Sequence, residues 1–152
     1  MFMIKFISLG VIMFTASFAV SAEESVIKYE SSYSVKETAN RFESIAESKG
    51  FTLFTRVDHQ KNAASVNMDL RPTEVIIFGN PKVGTLLMQC AQDVAIDLPQ
   101  KVLITEDVNQ KVWLSYNNPS YLKERHNMKG CDAVIGKVST VLNKLALATI
   151  AK

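Results

Sequence analysis

The sequence predicts an α+β fold: one compact domain in which helices pack on a mixed β-sheet, in the order β-α-β-β-α-β-β-α. Three observations carry this. Apolar residues recur at helical spacing at Val35, Ala39, Phe42, Ile45 and Ala46, and again at Val134, Val138, Val141, Leu142 and Leu145. Between them lie short β-branched and aromatic runs at 75–78, 102–104 and 112–116. Residues 73–99 join the two patterns, because an apolar strand runs into Gly79, a helix start, and a second apolar segment closed by Pro99. Strands and helices interleaved in this way form layers, with helices covering a sheet.

Residues 1–22 stand outside that fold and read as a cleaved signal peptide. Lys5 is the only charge before Glu23, an apolar run over 6–20 follows it, and Val20 and Ala22 are acceptable at the minus-three and minus-one positions of a cleavage site. The alternative is a transmembrane anchor, but the run is a little short of the roughly 18–20 residues of a span. Ser8, Thr15 and Ser17 dilute it further. Cleavage near Ala22 leaves residues 23–152, no stable membrane anchor, and a periplasmic or secreted protein. A mature chain of roughly 130 residues makes one domain with a real core. Without Lys5, 16 of the 17 basic side chains remain against 15 acidic ones, in no block of like charge. Such a balance leaves no electrostatic footprint for nucleic acid.

Export shapes the reading of the cysteines. In an oxidising compartment Cys90 and Cys131 most simply form one disulfide. It closes a loop of about 42 residues, worth roughly 4 kcal/mol by chain entropy. Free thiols or a metal site are the alternatives.

Residues 25–31 read as a strand. Ser34 lies three residues before Glu37, the spacing of a capping box, and the helix that follows stops at Gly50. In residues 51–57, Phe51, Leu53, Thr55 and Val57 alternate with Thr52, Phe54 and Arg56, as a strand with one core face requires. Asp58 and His59 read as a polar turn pair; adjacent residues on an extended chain point to opposite faces and do not form a dyad. Residues 61–71 suggest one helical turn and an extended connection. Val75, Ile76, Ile77 and Phe78 suggest a strand covered on both sides. Gly79 is read as relieving the backbone, Asn80 as an N-cap and Pro81 as the first helical residue. That joint sets a helix at the carboxyl end of a buried strand, where free first-turn amides favour an anion. Strand 102–104, a turn over 106–110 and a return strand over 112–116 make a hairpin, followed by a short helix from Pro119. A final helix over 132–147 carries an apolar stripe widened by Ile135 and Leu147, which suits a homodimer as well as a thick monomer core.

With these residues in view, the chain resembles the family called domain of unknown function 302. The resemblance rests on SVKETANRFESIAESKGF, RVDH, FGNP, LP and VWLSYNNPSYL and spans most of the mature chain. It implies a compact α+β domain with exported members. The family has no established activity, so no catalytic position carries over. The pair Cys90 and Cys131 looks like a feature of the exported relatives.

Among function classes, the leading expectation is a binding module for an unknown small ligand, anionic or otherwise, or for a protein, using Gly79, Asn80, Lys82 and His59. A metal- or haem-binding protein is the alternative, with His126, Met128 and Met88 as candidate soft ligands beside the cysteines. No haem attachment site is present in the sequence, and no cofactor is assigned. An enzyme is the third class. Glu74, Asp93, Asp97, Glu106 and Asp107 could supply an acid and a base, but capping and solvated turns account for them equally. No hydrolase elbow, phosphate loop or zinc-protease helix occurs, and no catalytic residue is assigned.

Overall fold

The computed structural model describes residues 24–152, so the signal-peptide reading of residues 1–22 lies outside the described residues. The elements are β1 (Val26–Ser31), α1 (Val35–Ser48), β2 (Thr52–Asp58), α2 (His59–Ala64), β3 (Thr73–Gly79) and α3 (Pro81–Cys90). A 3-10 helix (Gln92–Asp97), β4 (Gln100–Glu106), β5 (Val112–Asn117), α4 (Pro119–Arg125) and α5 (Asp132–Ile150) complete the chain. Local chemistry accounts for the helix starts. Ser34 accepts from the Glu37 amide at 3.2 Å, Asp58 from Lys61 at 2.8 Å, Asn80 from Lys82 at 3.0 Å and Asn118 from Ser120 at 3.0 Å. Gly50, at a φ of 78°, ends α1 as expected.

The strands lie in the order β1-β5-β4-β3-β2, and every neighbouring pair is antiparallel. The mixed sheet expected from the element order is therefore corrected. Residues 80–99 leave β3 and re-enter the sheet with Gln100 opposite Phe78, so the helical excursion returns to the end it left. Helix α1 does cross the sheet, but it joins β1 to β2 at opposite edges.

One face of the sheet carries the core. Ile76 and Phe78 of β3, Val102 and Ile104 of β4, and Leu114 and Tyr116 of β5 are all buried there, beneath α1 and α5. Ala39, Phe42 and Ala46 of α1 and Ile135, Val138, Leu142 and Leu145 of α5 supply the helical side. Phe78 sits edge-on to Phe42, 4.8 Å between centroids, and to Phe51, 5.7 Å. The opposite face is only half covered at Val75 and Ile77, and Leu103 is exposed. The apolar run in β3 thus reports one helix-covered face and one partly screened by neighbouring side chains.

A register shift between Leu53 and Thr55 breaks the alternation read in β2. Beyond it Arg56, opposite Ile76, turns to the helical side, where its guanidinium bonds the Glu74 carboxylate, Glu43 Oε2 at 2.9 Å and Asn40 Oδ1 at 2.7 Å. Phe54 is left half exposed.

Asp107 holds the β4–β5 turn. Its carboxylate accepts from Trp113 Nε1 at 2.9 Å and from the amides of Lys111 at 3.0 Å and Asn109 at 2.8 Å. Those bonds, the indole's foremost, lower the Asp107 pKa. Cys90 at the end of α3 and Cys131 at the start of α5 form a disulfide with Cα atoms 6.4 Å apart.

Candidate functional site

A groove of about 790 Å³ opens where α3, α5 and the C-terminal end of α1 meet the ends of β3 and β4. It falls within the roughly 300–1,000 Å³ of small-molecule sites. Its wall is mainly aliphatic and aromatic, with Ile45 from α1, Phe51 beside β2, Leu87 and Met88 from α3, and Val141 and Leu145 from α5. Antiparallel return makes this space: the chain leaves β3 at Gly79, forms α3, and comes back at Leu98-Pro99 to start β4, so both ends of the excursion line the groove.

Two positions in the wall have a conformation or environment that the fold does not require. Gly84 lies inside α3, and a Cβ built on it would meet nothing within 4 Å. A glycine there costs a helix about 0.5–1 kcal/mol relative to alanine, and its missing side chain widens the groove. Gln100, 8% exposed, has its Nε2 buried with no hydrogen-bond partner among the described residues. Gly84→Ala is expected to raise the unfolding free energy by about 0.5–1 kcal/mol. Urea unfolding followed by circular dichroism checks this, and a loss of stability would mean that a Cβ is not accommodated.

Of the residues singled out in the sequence, Gly79 and Asn80 line this groove. Lys82 follows on the same helical turn but is exposed and outside the wall. His59 is exposed at the opposite end of β2, since Thr52 pairs with Gly79 whereas Asp58 pairs with Glu74. The four therefore do not converge. The first-turn amides are not free either. Pro81 has none, Asn80 Oδ1 takes that of Lys82, and the Asn80 carbonyl takes those of Val83 at 3.0 Å and Gly84 at 2.9 Å. Gly79 has no positive φ, and a Cβ on it would stand 3.4 Å from Phe54 and 3.5 Å from Pro99, ordinary contact distances. Neither its backbone conformation nor its packing therefore requires a glycine there.

The metal candidates are likewise dispersed. His126 Nε2 lies 2.5 Å from Asp97 Oδ2, Met128 is buried in the core and Met88 lines the groove. Arg125 Nη1 reaches the other Asp97 oxygen at 3.3 Å. Among the described residues no three histidine, cysteine or acidic side chains stand together as a metal site. Trp113 is tied to Asp107, and Tyr116 is core, stacked on Tyr29 at 6.5 Å. Burial, with the Tyr29 neighbour secondary, raises the Tyr116 phenol well above its ordinary pKa.

A two-layer domain with an antiparallel sheet, a helical cover and an apolar groove between helix and strand ends is the class of protein that these features define. The sequence matches the family described as "Domain of unknown function DUF302" over residues 27–145, and the chain belongs to that family. A crystal structure of an uncharacterized conserved DUF302 protein from Bacillus stearothermophilus has the same fold. Its TM-score is 0.68 at 17% identity, over 84% of this chain and 97% of that one. The chain is also 44% identical over 106 residues to the fluoride-specific ion channel FluC 1 of Brucella suis. The FluC 2 protein of Brucella melitensis matches at the same identity and length. These matches cover 70% of this chain but 42% and 39% of the Brucella proteins, so the chain spans about two-fifths of the curated relatives it matches.

Proposed function

We propose that the protein is a non-catalytic binding module that takes a small, largely apolar molecule in the groove between α3 and α5. The observation that carries this reading is the open apolar wall itself. A chain under no demand to keep that space would gain from closing it, because apolar surface left against water forgoes about 25 cal/mol per Å². Instead α3 keeps Gly84 where a larger residue fits. The module acts outside the cytoplasm after cleavage near Ala22, in the periplasm or beyond; the residue pattern of 1–22 and the Cys90–Cys131 bridge support that setting. The channel activity named for the Brucella proteins belongs to chains more than twice the matched length and is not assigned to this domain. The single described helix apolar enough to span a membrane, α5, packs Ile135, Val138, Leu142 and Leu145 into the core here.

The test is native mass spectrometry of the mature, oxidised chain against a library of small apolar compounds, repeated with Gly84→Trp, whose indole projects into the groove. Ligands that bind the parent and are lost from a folded Gly84→Trp variant support the reading. Binding unchanged in the variant, or no binding at all, overturns it.

A further inference from the structure

Every charged group on the groove is a cation. Lys49 at the C-cap of α1 and Lys137 and Lys144 on α5 border it, and its lining contains no aspartate, glutamate or arginine. None of the three lysines takes part in an ion pair among the described residues, although six such pairs occur elsewhere. That concentration stands out in a chain whose mature part is almost charge-balanced. Lys137 and Lys144 are seven residues apart, two turns of one helix, so they flank the same stripe as Val141 and Leu145. Apolar walls and a cationic border make the same demand: a hydrocarbon body that carries negative charge.

We infer that the occupant is a single-chain anionic amphiphile, a carboxylate whose hydrocarbon lies along α3 and α5 and whose head group meets Lys49, Lys137 and Lys144. This rests on the groove being a ligand site and adds the chemistry of the ligand. The head group stays at the border, where ammonium groups lose little hydration, and the chain displaces water from Phe54, Met88 and Val141. Lysine suits this role because its aliphatic stem covers apolar wall while its ammonium remains in water. Raising the salt concentration should weaken the head-group contribution, since exposed charges are screened over about 10 Å at 0.1 M.

Three probes separate the two levels of the claim. Dodecanoate, dodecanol and dodecylammonium, each below its aggregation threshold, are titrated by calorimetry into the mature oxidised chain, into the triple variant Lys49→Gln, Lys137→Gln, Lys144→Gln, and into Gly84→Trp. The expected result is dodecanoate bound roughly tenfold or more tightly than dodecylammonium, and about tenfold more weakly by the triple variant. Dodecanol should bind the parent and the triple variant alike, and Gly84→Trp should abolish all three. If dodecanoate and dodecylammonium bind equally and the lysine changes are without effect, the amphiphile assignment falls while the groove survives as a site. If none of the probes binds, or Gly84→Trp binds like the parent, both fall. The lysines are exposed, so the triple variant folds, and its unfolding midpoint in urea verifies that.

Discussion

Phe78→Ala is expected to lower the unfolding free energy by about 3–5 kcal/mol, the usual cost of deleting a buried ring. Phe78 is 1% exposed and stands at the end of β3 where three layers of contact meet. Phe42 reaches it from α1 and Phe51 from the loop before β2, both edge to face. Removing the ring leaves those two without their common partner, and β4 beside it presents Gln100, which cannot fill an apolar void. The substitution should therefore fall at the upper end of the large-to-small range, and Phe78→Leu should recover most of the loss. Urea titration with an unchanged denaturant slope checks both. A loss below about 1 kcal/mol would show that the three aromatic residues do not anchor the sheet to α1. Phe78 also lines the groove, so the ligand-binding module cannot be separated from the core at this position.

Replacing both Cys90 and Cys131 with alanine is expected to cost about 4 kcal/mol, within a usual range of about 2–5. The two residues are 41 apart in sequence, so the bridge removes much freedom from the unfolded chain. Its place in the fold adds a second effect. The bridge joins the last residue of α3 to the cap of α5, and those helices are opposite walls of the groove. Helix α3 is held at its other end by β3, so without the bridge its C-terminal turn, including the wall residues Leu87 and Met88, is free to shift. The double variant should unfold at lower urea and bind a groove ligand more weakly than its stability alone requires. Equal stability of the oxidised parent and the variant would mean that the bridge is an ornament of the fold.

Local signals in the sequence were legible wherever one short segment contains all of its own physics. Ser34 with Glu37, Gly50, and Asn80 with Pro81 each set a helix end through bonds within a few residues, and the structure places α1 and α3 accordingly. Strand direction was not legible, because it depends on where a connection comes back. The α3 excursion looks like a crossover in sequence yet returns to the end it left. The register shift in β2 was hidden for a related reason: Phe51 to Val57 alternate cleanly, and only pairing with β3 shows that Arg56 faces the helices. The Gly79–Asn80 joint led to the right neighbourhood but suggested the wrong chemistry, since Asn80 saturates the amides expected to hold an anion. The groove itself draws Ile45, Gly84, Gln100 and Lys144 from four elements that share no motif. Two signs were nonetheless present: a glycine within an otherwise good helical segment, and two lysines spaced by seven along the apolar final helix.

The sheet order places the earliest strand at an edge, paired with the last one. Ile27 and Tyr29 of β1 find their neighbours Tyr116 and Leu114 only in β5. At a synthesis rate of about 5–20 residues per second, the ribosome makes the start of the domain on the order of 5–20 seconds before the segment that completes it. Throughout that interval the emerging polypeptide has greasy side chains but no finished sheet on which to lay them. Until β5 has been translated, β1 has no strand to pair with, and the sheet stays open at that side.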